Sequence, residues 1–201
     1  MDMPTLAGAD VAADRSTQAI HGLAARRYDL ITIALHWLVA LMVAALWIGA
    51  ETLGWFADAA SRADARSAHI MLGLALGVLG GGRFVWRMSF GRPLPPANTG
   101  ALGVLSEVMH FGLYALLAAM VFAGMLLLWA TGDSVFNHVA VADSDPASLV
   151  LATKLRFVHG LIGWVILAAV GLHVLAVLYH RFVRHDDVLS RMLPHRRPDL
   201  G

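Results

Sequence analysis

HGLIGWVILAAVGLH, residues 159–173, opens and closes on histidine and holds no other ionisable group. A segment this apolar suits hydrocarbon, where an ionisable side chain is costly and by default marks a functional site with a partner. As an α-helix, the fourteen steps between the two histidines turn through about 1400°, within about 40° of four full turns, so both project from nearly one face. At 1.5 Å per residue they stand roughly 21 Å apart along the axis. One helix therefore carries an imidazole near each surface of a membrane.

The rest of the chain is consistent with a membrane setting. Of 201 residues, 58% are hydrophobic and 14% charged, and the mean hydropathy of +0.66 lies outside the range of soluble globular domains. A spanning helix needs roughly 20 mostly apolar residues. Four stretches qualify: about Leu30 to Ala50, Ala68 to Trp86, Val108 to Ala130 and Leu155 to Tyr179. The sequence thus predicts an all-α integral membrane protein, a four-transmembrane-helix bundle over residues 30–180. Residues 1–29, Ala-rich and mixed polar, read as a mobile N-terminal extension, and residues 181–201 as a basic C-terminal tail. The first apolar run is long for a signal sequence and lacks an A-x-A-like cleavage site, so it is expected to stay as a helix.

Short connections leave no room for a soluble domain, so any chemistry lies inside the bundle or at its rims. GRPLPPANTG, residues 91–100, separates the second span from the third. NHVAVADSDPAS, residues 137–148, belongs to a third connection long enough for a short surface helix. Eleven arginines flank one side of the spans: Arg15, Arg26, Arg27, Arg83, Arg87, Arg92, Arg181, Arg184, Arg191, Arg196 and Arg197. The other side has Arg62, Arg66, Lys154 and Arg156, so the positive-inside rule predicts both termini in the cytoplasm. The six tryptophans fall mostly near span ends, as aromatic belts do.

Absence of cysteine excludes disulfides, iron–sulfur clusters and thiolate ligands, which leaves any metal or haem to other side chains. His21, His138, His185 and His195 fall in tails or loops and read as solvated, and His180 as interfacial. The histidines of interest are His36, His69, His110, His159 and His173. A single one of these could simply hydrogen-bond a carbonyl and tie two helices; matched depths argue for more. His36 lies about six residues inside the first span, level with His173 near the end of the fourth, while His69 opens the second span level with His159. Two facing imidazoles on different helices, without a carboxylate, suit an iron porphyrin with both axial positions filled. Zinc would want further ligands that these depths do not offer. With no open iron site, the expected role is outer-sphere electron transfer. Gly73, Gly77 and Gly81, and Gly160, Gly163 and Gly171, let either a macrocycle or a neighbouring helix come close.

Several motifs carry a resemblance: LHW at Leu35–Trp37, AHIMLG at Ala68–Gly73, HFGLYALL from His110, the HG-x12-H spacing from His159, and the downstream RFVRHDDVLSRMLP. Together they resemble the bacterial di-haem cytochrome b561 family over roughly residues 27–195. That resemblance implies two b-type haems, with His36 and His173 ligating the cytoplasmic-side iron and His69 and His159 the periplasmic-side iron. It also implies exchange of electrons with the ubiquinone pool and, for some members, superoxide:ubiquinone oxidoreductase activity in the bacterial inner membrane. The partners implied are lipid, ubiquinone and superoxide, with no nucleic acid and no named protein partner.

Arg66 precedes His69 by three residues and Arg156 precedes His159 by three, which puts each near its histidine's face one turn further out. With Lys154, and with Arg62 nearby, they are expected either to bind haem propionates or lipid headgroups, or to form a cationic funnel for an anion such as superoxide. His110 is expected to bond a propionate or a quinone carbonyl. Two other readings compete: a haem-b relay or anchor subunit of a hydrogenase- or dehydrogenase-type complex, and a non-redox membrane protein whose histidines tie helices or carry protons.

Overall fold

A computed structural model describes residues 27–132, 134–135, 139–140 and 146–194. Most of the expected N-terminal extension, with His21, and also His138 and His195, lie outside the described residues. Four helices follow in order: α1 (Leu30–Thr52), α2 (Ala59–Ser89), α3 (Gly100–Thr131) and α4 (Pro146–Phe182). Each contains a run long and apolar enough to cross a membrane.

The helix starts are chemically marked. Asp29 caps α1 and Asp58 caps α2, each accepting a backbone N–H three residues on at 2.8 Å. Pro146 stands at the first position of α4, where its missing N–H costs nothing. Gly132, at φ 61°, ends α3 in the left-handed conformation that glycine adopts freely.

Three helices begin well before the apolar spans do: α2 by nine residues, α3 by eight and α4 by nine. Backbone hydrogen bonding does not stop where hydropathy falls, so these turns are helical extensions. At 37 residues α4 is about 55 Å long, well beyond a hydrocarbon core of roughly 30 Å. The third connection is correspondingly shorter than expected. Within it, Ser134–Val135 pairs antiparallel with Val139–Ala140, and the rest of residues 133–145 lies outside the described residues.

The helices pack in chain order, α1 on α2, α2 on α3 and α3 on α4. Helices α1 and α4 meet through side chains, with the Trp47 and Trp164 rings 5.9 Å apart. Helices α1 and α4 also frame an apolar groove of about 200 Å³ there, lined by Val43, Trp47 and Ile166. Few side chains are fully buried: Ile33, Val39, Leu76 and Ile166 are the larger apolar ones. Val78 is 77% exposed and Phe122 63%, and so broad an apolar exterior on helices of this length is a lipid-facing surface.

The end of the bundle where α1 begins and α4 ends is tied by polar contacts. Asp29 also accepts the indole N–H of Trp86 (3.1 Å) and the backbone N–H of Arg92 (3.2 Å). The chain beyond α4 folds back, and a turn at Leu189–Met192 lies against α1. There Tyr28 donates its backbone N–H to the Arg191 carbonyl (3.2 Å), Trp37 donates to the Met192 carbonyl (2.8 Å), and Arg191 reaches the Pro95 carbonyl (2.8 Å). His180 donates from Nδ1 to Asp186 at 2.6 Å and accepts from the Asn98 amide at 3.3 Å.

Candidate cofactor site

The helices bring the four matched histidines together as two pairs. At the end where α1 begins and α4 ends, the His36 and His173 ring centroids are 6.4 Å apart; at the opposite end those of His69 and His159 are also 6.4 Å apart. Metal–imidazole bonds of about 2.0 Å, with roughly 1.2 Å from nitrogen to ring centre on each side, set two centroids about 6.4 Å apart across one metal. Both pairs join α4 to a different neighbour, α1 in one case and α2 in the other.

All four imidazoles are half-buried. The Nδ1 atoms of His69 and His159 are buried without a hydrogen-bond partner. Carbonyls of Leu46 and Met120 lie beside these rings and act to orient them, and a buried polar atom short of a full hydrogen bond is the kind that a further group explains. Gly124 on α3 forms part of the cradle, since a Cβ there would meet His159 Cε1 at 3.2 Å. Gly77 packs directly on Val121 of α3, where a Cβ would lie 3.0 Å from Cγ1, and Gly163 faces the flexible end of Met120. Gly73, Gly81, Gly160 and Gly171 meet no side chain within 4 Å, so the small-residue positions divide between helix contact and open space.

His110 lies beside His173, with centroids 5.5 Å apart, and donates from Nδ1 to the Ser106 carbonyl one turn earlier (2.6 Å). That bond leaves its Nε2 as the free position. Arg83 reaches into the same end of the bundle from α2. Its guanidinium donates to the Thr32 carbonyl (3.4 Å) and lies 5.7 Å from the Tyr114 ring centroid. Hydropathy could not distinguish Arg83 from the other arginines of its flank, because the positive-inside bias accounts for all of them alike.

At the opposite end Arg62, Arg66, Lys154 and Arg156 are all exposed on or beside the helical extensions of α2 and α4. Arg62 also turns back on the α1–α2 connection and donates to the Phe56 (2.7 Å) and Ala57 (3.1 Å) carbonyls.

Residues 27–195 match the family described as prokaryotic cytochrome b561. The chain belongs to that family. Membership makes it a prokaryotic multi-pass membrane protein that binds haem b and serves electron transfer. It is 29% identical to the probable superoxide oxidase CybB of Yersinia pestis over 86% of this chain and 98% of that one. It is also 30% identical to cytochrome b561 homolog 2 of Escherichia coli strain K12, over 87% and 95% of the two chains. Cytochrome b561 homolog 1 of the same strain is 28% identical, over 85% and 99%. The donor set fits a haem: each end offers two imidazoles at a 6.4 Å separation, and among the described residues no cluster of three or more His, Asp or Glu provides a cage for a bare metal ion.

Proposed function

We propose that this cytochrome b561 holds two b-type haems, one between His36 and His173 and one between His69 and His159, and carries electrons between superoxide and ubiquinone. The observation that carries the reading is the pair of equal 6.4 Å imidazole separations at opposite ends of one helix. The charge asymmetry of the sequence supports an orientation with both termini in the cytoplasm of a bacterium and the His69–His159 pair toward the periplasm of the inner membrane.

A bound haem supplies a one-electron iron couple. The chain's own residues determine what reaches it. His36 with His173 and His69 with His159 would hold the haems, and with two histidines given to each the group would supply one-electron transfer without binding an oxygen species. Arg66, Lys154 and Arg156 gather positive charge at the periplasmic rim, where it raises the local concentration of a small anion. Because α4 carries one ligand of each pair, it acts as a rigid post that fixes the separation of the two sites. In the net reaction two superoxide ions each lose one electron and become dioxygen. One ubiquinone takes both electrons with two protons and becomes ubiquinol. His110 lies beside His173 with Nδ1 bonded to the Ser106 carbonyl, and as an imidazolium, with an N–H on both nitrogens, it would donate from Nε2 to a propionate or a quinone carbonyl. The Yersinia relative's name supports superoxide as the donor.

The test mixes purified protein with a superoxide source and ubiquinone while the haem absorption is followed. The bands should rise to the reduced form and fall again as quinone is consumed. Protein without haem by pyridine extraction would refute the cytochrome site, and haem that dithionite reduces but superoxide does not would refute the substrate. An anchor subunit of a larger complex would show that second outcome and co-purify with soluble partners.

A further inference from the structure

We infer that Arg83 makes the haem held by His36 and His173 the higher-potential of the two, so that electrons entering at the His69–His159 end run downhill toward it. The inference rests on the two-haem reading above and assigns a direction to it.

Arg83 projects from α2 into the bundle, half-buried, and spans the gap between two neighbours. On one side it donates to the carbonyl of Thr32, one helical turn before His36 on α1. On the other it stacks over Tyr114, one turn after His110 on α3, and His110 is the ring beside His173. The guanidinium is close enough to act electrostatically on both His36 and His173. Among the described residues no lysine or arginine stands in that relation to His69 or His159.

An arginine stays charged in any protein environment, and among the described residues no carboxylate pairs with this one. Asp29, the carboxylate at this end of α1, is instead bonded to Thr32, Trp86 and Arg92. Arg87, one turn further out, stacks on Tyr28 at 4.8 Å. Reduction of a ferric haem adds one negative charge, which an uncompensated cation nearby stabilises. A half-buried cation acts through a lower effective dielectric than the exposed Arg66, Lys154 and Arg156, whose fields water and salt screen. The two imidazole pairs share a 6.4 Å separation, and a half-buried arginine stands beside the His36–His173 pair while the cations near the His69–His159 pair are exposed. Arg83 is therefore a positioning residue for electrons.

Redox titration of the purified protein, followed at the haem absorption, tests this. Wild type should give two waves. His173→Ala should keep one haem and show only the lower wave, which assigns the upper one to the His36–His173 site. Arg83→Gln should retain both haems and lower the upper wave by at least a tenfold change in electron partition, about 59 mV for one electron. Arg83→Lys, which keeps the charge, should leave the wave close to wild type. An upper wave unmoved in Arg83→Gln, or retained in His173→Ala, overturns the inference. So does loss of one haem from Arg83→Gln with Arg83→Lys unaffected, because Arg83 would then hold the group instead of tuning it. Wild-type protein free of haem would sink the two-haem reading and this inference together, whereas two haems with an unmoved wave sink this inference alone.

Discussion

A single carboxylate, Asp29, joins the start of α1 to the end of α2 and to the turn that follows. Burial acts to raise its pKa, but hydrogen bonds from the Thr32 hydroxyl and backbone, the Arg92 backbone and the Trp86 indole outweigh that and bring it from 3.8 down to about 2. A carboxyl whose folded pKa is depressed adds stability that is fully present above its unfolded value and is lost as pH falls through the folded one. Asp29→Asn keeps a capping oxygen but loses the charge, and should therefore melt lower than wild type at neutral pH by roughly 1 kcal/mol, the excess of charge-assisted over neutral hydrogen bonds. That gap should close as pH falls from about 4 toward 2, followed by thermal unfolding in detergent; a gap independent of pH would show that ionisation of Asp29 does not matter. From the sequence Asp29 was the last residue of a tail, since nothing local announces the indole and amide that converge on it from residues 86 and 92. The four ligand candidates were legible for the opposite reason: an imidazole inside an apolar run is conspicuous whatever surrounds it.

At the scale of the helices, close approach between α3 and α4 sets the position of a ligand. Gly124 leaves room for the His159 ring, and a Cβ there would meet it at 3.2 Å. Gly124→Val should push the imidazole aside and reduce bound haem from two per chain toward one, measured by pyridine extraction against protein concentration. Gly163→Ala is the contrasting case, because it meets only the mobile methyl of Met120 at 3.3 Å, and haem content should hold with a stability change below about 1 kcal/mol. Full haem content in Gly124→Val would mean that His159 has slack the structure does not reveal. Span centres were readable from hydropathy, but the extensions that open α2, α3 and α4 were not, since polar turns continue a helix without any apolar signal. Those extensions carry Arg62, Arg66 and Lys154, and only the folded chain shows that Arg62, exposed like the others, reaches back to the loop carbonyls of Phe56 and Ala57.

For the molecule as a whole, the distribution of charge distinguishes the two ends. If the exposed cations of the helical extensions recruit superoxide, Arg156→Glu should slow reduction of the haem by superoxide, roughly tenfold at low ionic strength and less as salt screens the field. Both haems should remain bound. An unchanged rate at low salt would confine Arg156 to a structural role. The amino-acid sequence by itself determined the membrane class, the number of spans and the two pairs of histidines, because apolar length and helical period are local properties that a linear chain displays. Only the tertiary structure decided which small residues touch a neighbour, that Trp47 meets Trp164, that the C-terminal segment closes over Trp37, and that Arg83 turns inward. Those facts depend on which faces of separate helices meet, and hydropathy, which averages over faces, holds no record of them.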